Sequence, residues 1–456
     1  MQPSQLRGAR VVVAGAGVSG LAAAEALVAL GAHVTVTDAV PARLADLPSG
    51  ADAGTDPDAV PPGTELIVTG PGRRPDHPLV AAAAAAGVPI VGEPELAWWI
   101  GQAAPKPPAW LAVTGTNGKT TTVGMLASML RAAGLDSVAC GNIGHPVVTA
   151  VRDGHDVLAV ELSSFQLHWS PSVLPAAGCV LNVAEDHLDW HGSMAAYAAA
   201  KARALLGPIA VAGVDDPAAA ALLAASPARR KVGVTLGAPG PGQLGVEDGL
   251  LVDRAFDAGE LIEADAVVPS GPSGVTDALA AAALARAYGV PADAVRKGLE
   301  GFRSGPHRGA SVGSVDGVDY LDDSKATNPH AAAASLGAQR SPVVWIVGGL
   351  LKGASVDALV AEHSGGLRAA VVIGTERAEI VAALARHAPD VPVVEVEAGD
   401  DAPMTTAVRR AAALARPGDV VLLAPAAASM DQFSDYAHRG TAFATAVAQL
   451  PRAERA

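Results

Sequence analysis

The sequence predicts an α/β protein of three domains built on mostly parallel sheets. Short β-branched runs alternate with alanine-rich helical stretches through almost the whole chain, the pattern of parallel strands covered by helices. Its 456 residues suffice for roughly three domains of ~150 residues each. Two proline-bearing breaks divide it into 1–104, 105–305 and 306–456.

In the first segment a strand over 10–14 leads into Gly15-Ala16-Gly17-Val18-Ser19-Gly20, which opens a helix. The next strand, 33–37, ends at Asp38. This order is the dinucleotide fingerprint: the glycines permit a tight turn and close backbone approach, the helix N-terminus favours an anion, and an acidic residue stands where a ribose would lie. A purely structural turn is the alternative, and the fingerprint leaves open which nucleotide binds. A further strand covers 66–69, and the alanine tract 81–86 is a helix surface. The run QAAPKPPA at 102–109 then reads as an exposed linker, because its prolines suit neither helix nor central strand.

The second segment opens with a strand over 111–114 and the turn Gly115-Thr116-Asn117-Gly118-Lys119-Thr120 before a long helix. Val113 stands where the standard phosphate loop has its first glycine. The mechanics survive: backbone N–H groups cradle phosphates, Lys119 neutralises the terminal phosphate and the Thr120 hydroxyl reaches Mg²⁺. The strand 157–161 ends in Glu161, whose carboxylate is costly to bury unpartnered and, beside a phosphate loop, suits Mg²⁺. The strand 179–183 runs into Asn182-Val183-Ala184-Glu185-Asp186-His187-Leu188-Asp189, placing His187 at the same strand-end level, in a metal or substrate role. Lys201, within AAYAAAKARAL, reads from local pattern alone as a solvated helix lysine. A helical run over 277–299 precedes the second break at 304–307, and strands over 343–347, 370–373 and 420–423 follow.

Composition narrows the function classes. The formal charge of −14 argues against non-specific nucleic-acid binding, which needs a basic surface to release counterions. Cys140 and Cys179 are too few for a disulfide framework and lack zinc-site spacing, so both read as structural. No apolar run is long enough to cross a bilayer, and no export signal precedes the first strand; the expectation is a cytoplasmic, membrane-independent protein.

Taken in order, GAGVSG, VTGPG, TGTNGKTT, GNIG, ELSSFQL, NVAEDHLDWH, AYAAAK, PHR, DDSKATN, GGLLKG and APAAASMDQFSDYAHRG resemble the Mur ligases over essentially the whole chain. DSKATN and SMDQF point to the D-glutamate-adding branch. The resemblance implies a Rossmann-like first domain, a central P-loop-type ATPase domain and a Rossmann-like C-terminal domain. It implies UDP rather than a dinucleotide at the first turn, with Gly17, Val18, Ser19 and Asp38 near it. ATP and Mg²⁺ would lie at Gly115, Thr116, Asn117, Gly118, Lys119, Thr120, Thr121 and Glu161, and Asn142, Ser163, Gln166 and His187 along the muramoyl-alanine arm. Lys201 falls where the family has a carbamylated lysine, which with His187 would hold a second Mg²⁺. His307, Arg308 and Asp323 would surround the nucleotide, and Lys325, Thr327, Lys352, Ser429, Met430 and Tyr436 would hold D-glutamate. Two lysines and two hydroxyls suit an amino acid with two carboxylates. The chain departs from the family in Ser273-Gly274-Val275-Thr276-Asp277, where an asparagine-bearing adenine contact is usual, and in Ala310 and Ala427.

The implied reaction is ATP-dependent joining of D-glutamate to UDP-N-acetylmuramoyl-L-alanine through an acyl phosphate, by a monomer using small-molecule substrates alone. Three rivals remain at this point: a Mur or folylpolyglutamate-type ligase for another amino acid, a nicotinamide-dependent oxidoreductase, and a non-catalytic nucleotide-binding regulator. The oxidoreductase explains GAGVSG and Asp38 but leaves GTNGKTT unexplained.

Overall fold

The computed structural model describes residues 3–55, 58–397 and 402–451. The alternation of apolar runs and alanine-rich helices resolves into three sheets. The first contains β1 (Arg10–Ala14), β2 (His33–Asp38), β3 (Ala51–Thr55), β4 (Leu66–Thr69) and β5 (Ile90–Gly92), all parallel in the order β3-β2-β1-β4-β5. The order reverses at β1, so the crevice beyond the C-terminal ends of β1 and β4 is where an open α/β sheet takes its ligand.

The second sheet comprises β6 (Ala109–Thr114), β7 (Ser137–Gly141), β8 (Val157–Glu161), β9 (Ala177–Val180), β10 (Ile209–Gly213), β11 (Arg230–Val234), β12 (Gln243–Glu247), β13 (Leu250–Asp253) and β14 (Gly259–Glu263). Its order is β14-β13-β12-β11-β10-β9-β6-β8-β7, parallel except for the meander β12-β13-β14. Strand β6 is the switch point, flanked by β8 and β9, and it carries the phosphate loop at its C-terminal end. The strand expected at 179–183 is β9, which stops at Val180; Asn182 leaves the ladder for a task described below. The helical run expected at 277–299 is two helices, Pro272–Ala287 and Ala292–Gly301, separated at the Gly289–Pro291 turn.

The third sheet comprises β15 (Ala310–Val315), β16 (Val318–Asp322), β17 (Val343–Gly348), β18 (Leu367–Ile373), β19 (Val393–Glu395) and β20 (Val420–Leu423), in the order β15-β16-β20-β17-β18-β19. Only the β15–β16 pair is antiparallel.

The chain packs as two compact units. The first holds the first two sheets, because one apolar cluster runs from Val11, Val13 and Leu27 to Trp110, Cys140, Leu158 and Val160. The helix Glu93–Gln102 bridges them, Trp98 meeting Trp110 edge-to-face at 5.2 Å between ring centres. The run at 102–109 is mostly exposed, as its prolines imply, with Pro108 buried. The second unit is built on the third sheet, with apolar clusters on both faces. Both cysteines are buried and unpaired, their thiols pushed far above the usual range by burial. Among the described residues no helix is long and apolar enough to cross a membrane.

Candidate active site

The first glycine turn is braced from within. A Cβ at Gly20 would lie 1.9 Å from the Gly15 carbonyl oxygen, so only glycine lets the helix start this close to the strand end. The helix Val18–Ala29 begins at Gly17 without a side-chain cap, leaving its N-terminal amides for a ligand. Asp38, expected beside a ribose, accepts from Ala16 N at 2.9 Å and from Val40 N at 2.8 Å. Desolvation pushes its pKa up, but those two N–H groups and Arg43 outweigh it and hold the carboxyl below its usual range. It therefore holds the turn itself. Ser19 and Gln166 line one small crevice with Thr69, Glu93 and Trp169, joining the first turn to the expected path of the acyl arm.

The phosphate loop is the tightest part of the site. Gly118 starts the helix Lys119–Ala132 in the left-handed region, at φ 86°, which admits glycine at little cost. Lys119 Nζ folds back to the carbonyls of Gly115 and Thr116, both at 2.9 Å. Asn182, two residues beyond β9, holds the loop: its carbonyl accepts from Thr116 N at 3.0 Å and its Oδ1 from Asn117 N at 2.9 Å. Thr120 Oγ1 donates to Glu161 Oε2 at 2.7 Å, and Asn142 Nδ2 donates to Glu161 Oε1 at 2.8 Å. Thr121 is buried on the same helix. A hydroxyl and a carboxylate this close, beside a phosphate loop, are the hard oxygen donors that fit Mg²⁺.

Lys201 is not the solvated lysine its neighbours suggest. It is 1% exposed, donates to the Gly115 carbonyl at 2.7 Å, and lies 4.4 Å from the centre of the Tyr197 ring. The Tyr197 and Thr116 hydroxyls are 3.0 Å apart, so one tyrosine ties Lys201 to the phosphate loop. His187 adopts φ 54° and meets Phe165 at 4.7 Å and Tyr197 at 6.5 Å, ring centre to ring centre. Trp190 and His191 complete this aromatic group, and burial first, then the neighbouring His168, His187 and Lys201, lower the His191 pKa to about 4. Ser163 and Gln166 form a capping box on the short helix Ser164–His168, which follows Glu161 at the end of β8. Asp277, inside the departure at 273–277, accepts from Thr122 at 3.2 Å, and its carboxylate fills the space where a Cβ on Gly118 would fall.

In the second unit, His307 Nδ1 lies 2.6 Å from Asp322 Oδ2 at the C-terminal end of β16. Burial raises the pKa of the adjacent Asp323 to about 6, against opposing contributions from Ser335 and Arg308. Lys325 Nζ stands 3.9 Å from the centre of the Tyr436 ring, and the Thr327 amide donates to the Lys325 carbonyl at 2.8 Å. A bridge between Leu350 and Ala428 brings the loop of Lys352 beside Ser429, which is buried while Met430 is 65% exposed. Arg439 supports this region from below: it is 1% exposed and donates to Ser324 Oγ, Ser324 O and Ala427 O at 2.8 to 3.0 Å. Among the described residues seven non-glycines have positive φ. Three lie in turns of the β-meander or hairpin, and the others are His187, His307, Lys352 and Ala426. Such backbone is costly and collects where surrounding structure fixes a functional geometry.

Two groups of expected residues are thus assembled, one in each unit, and sequence reasoning missed four of their supports. Asn182 and Tyr197 were inside recognised runs but carried no local signal. Asp277 lay in a departure from the family and at the start of the helical run 277–299, and Arg439 inside the run APAAASMDQFSDYAHRG, where nothing singled it out.

Comparison with known proteins bears on both groups. Residues 113–241 match the Mur ligase middle domain and residues 307–427 the Mur ligase glutamate ligase domain. Residues 3–55 match the C-terminal domain of alanine dehydrogenase and PNT, in keeping with the dinucleotide-type turn. The chain is 55% identical over 468 residues to the UDP-N-acetylmuramoylalanine--D-glutamate ligase of Nocardia farcinica, covering 98% of this chain and 97% of that one. With the enzyme of the same name from Streptomyces coelicolor it shares 55% identity, covering 98% and 99%. Among solved structures, UDP-N-acetylmuramate-alanine ligase from Thermotoga maritima superposes with a TM-score of 0.59 at 19% identity, covering 96% of this chain and 99% of that one. A folylpolyglutamate synthase from Mycobacterium tuberculosis gives 0.55 at 19% identity, covering 76% and 92%.

Proposed function

The chain belongs to the Mur ligase family, and from that premise we propose that it joins D-glutamate to UDP-N-acetylmuramoyl-L-alanine with ATP, in peptidoglycan precursor synthesis. The observation that carries the reading is the Lys119–Thr120–Glu161 arrangement at the end of β6, in a chain 55% identical to ligases of that name.

A carboxylate is a poor electrophile, so it must be activated. The terminal alanine carboxylate attacks the γ-phosphorus of ATP; an O–P bond forms, the bond to ADP breaks, and an acyl phosphate results. The amine of D-glutamate then adds to the acyl carbon, loses a proton, and phosphate departs with its bridging oxygen. Lys119 exchanges its carbonyl partners for the terminal phosphate and offsets the charge that gathers there. Asn182 and Tyr197 keep the loop in its phosphate-receiving shape. Thr120 and Glu161 would hold Mg²⁺, which would supply positive charge to the phosphates. Lys201, buried beside Gly115, would carry a carbamate and with His187 would hold a second ion.

Gly17, Val18, Ser19 and the helix start receive the UDP diphosphate, with Asp38 fixing the turn, while Asn142, Ser163 and Gln166 border the acyl arm. Arg308 and Asp323 face the nucleotide, and Lys325, Thr327, Lys352, Ser429, Met430 and Tyr436 bind D-glutamate. The division into 1–104, 105–305 and 306–456 assigns one ligand mainly to each domain. The protein works as a cytoplasmic monomer.

The test is phosphate release from ATP and Mg²⁺ with UDP-N-acetylmuramoyl-L-alanine, comparing D-glutamate, L-glutamate and no amino acid. Release that depends on D-glutamate, with a product heavier by one glutamyl residue, is expected. Release that needs no acceptor, or only another amino acid, overturns the substrate assignment while keeping the ATP site.

A further inference from the structure

The second unit carries a cavity of about 510 Å³ at the end of the third sheet remote from its functional residues. That volume lies within the range of small-molecule sites. Val318, Tyr320, Ala412 and Leu450 are among its apolar walls, and Asp316 and Arg409 stand at its edge. The helix Tyr436–Ala448 separates the two regions. Arg439 and Gly440, near its start, pack on Ser324 and His307, whereas Leu450 follows its end, roughly 15 Å further at 1.5 Å per residue.

One wall residue sets the chemistry. Tyr320 is 1% exposed overall and its ring meets the buried Phe443 at 6.5 Å in a tilted pair; its hydroxyl makes no hydrogen bond among the described residues and is not one of the occluded, unpartnered polar atoms, so it opens on the cavity. A phenol on a cavity wall with no partner in the protein has its donor free for an acceptor that enters the cavity. Burial first, then the nearby Asp316 charge, raises the Tyr320 pKa, so the group stays a protonated donor. The one acid and one guanidinium at the edge leave the cavity with no net charge to select an ion. We propose that this cavity binds an uncharged, mostly apolar small molecule whose carbonyl or ether oxygen accepts from the Tyr320 hydroxyl. The site is separate from the ligase centre and independent of the function proposed above.

Benzophenone is a suitable probe, having two apolar rings and one ketone acceptor. Titrated into the full chain with ligand-observed NMR, and then photo-attached and located by peptide mass, it is expected to bind at one site and label the 403–417 or 443–451 peptides. Tyr320→Phe, which keeps the ring, is expected to weaken binding about five- to tenfold. Ala412→Trp, which fills the cavity, is expected to abolish binding while D-glutamate-dependent turnover is retained. Absence of binding at millimolar probe, or labelling scattered over the surface, overturns the proposal, as does binding indifferent to both substitutions. Binding that arises only after the chain is shortened beyond Pro451 also overturns it, by giving the cavity to the chain's own last residues.

Discussion

Glu93 → Gln is expected to change how the first unit responds to pH. Glu93 is 3% exposed at the start of the helix Glu93–Gln102, and its Oε1 accepts from Val148 N at 2.5 Å, capping the helix Val147–Asp153. Its Oε2 has no partner among the described residues. Burial dominates: it raises the pKa from its ordinary 4.5 to about 7, against the pull of the Val148 and Val147 amides. At roughly 1.4 kcal/mol per pKa unit, keeping this group ionised in the fold costs about 3 kcal/mol. The folded state binds the proton more tightly than the unfolded chain, so stability falls as pH rises from about 4.5 to about 7 and is level above that. His191, lowered to about 4 by burial first and then its charged neighbours, works in the opposite direction over about pH 4 to 6.5. Only the difference between wild type and variant therefore isolates Glu93. Glutamine keeps the acceptor toward Val148 and cannot ionise. The two proteins are expected to match within about 1 kcal/mol at pH 5, with the variant more stable by about 2–3 kcal/mol at pH 8. Five of the six tryptophans lie in the first unit, so urea unfolding followed by tryptophan fluorescence reads the relevant transition. An equal stability difference at pH 5 and pH 8 would refute the reasoning.

Further outcomes follow from the site. Lys119→Met should lower D-glutamate-dependent turnover by at least about a thousandfold with the fold retained, since it removes the charge that meets the terminal phosphate; circular dichroism and phosphate release check this together. Glu161→Gln should raise the Mg²⁺ concentration for half-maximal rate by about tenfold or more, read from a metal titration at saturating ATP. Gly118→Ala places a methyl 2.2 Å from Asp277 Oδ1 at φ 86°, so ATP affinity should collapse and stability fall by about 1–2 kcal/mol. Arg439→Met removes three hydrogen bonds from beneath the Ser429 loop; a loss of about 2–4 kcal/mol in the second unit by calorimetry, with a raised KM for D-glutamate, is expected.

Much of the fold was legible because parallel strands announce themselves as β-branched runs: β1, β4, β8 and β20 fall where the sequence puts them. The loss of β9 beyond Val180 was not, since Leu181-Asn182-Val183 continues the apolar rhythm while Asn182 is diverted to hold the phosphate loop. The sharing of one core by the first two sheets was also hidden, because periodicity tells which face is apolar and not what covers it. At the site, Thr120 and Glu161, read from the phosphate loop and the neighbouring strand end, lie 2.7 Å apart. Lys201 was misread locally, its alanine neighbours giving no hint that Tyr197 and Gly115 enclose it; only the family resemblance singled it out. Ser163 and Gln166 form a helix cap, which the S-x-x-Q spacing records. Arg439 lay inside the recognised run APAAASMDQFSDYAHRG but was not singled out, since its partners are backbone and hydroxyl oxygens more than ten residues away.

The most direct test of the account follows oxygen. With UDP-N-acetylmuramoyl-L-alanine labelled by ¹⁸O in the alanine carboxylate, turnover with ATP and D-glutamate should deliver one ¹⁸O per turnover into inorganic phosphate, because the bridging oxygen of the acyl phosphate leaves with phosphorus. Inorganic phosphate free of ¹⁸O, formed alongside the glutamyl product, would contradict activation of the carboxylate by the phosphate loop of β6.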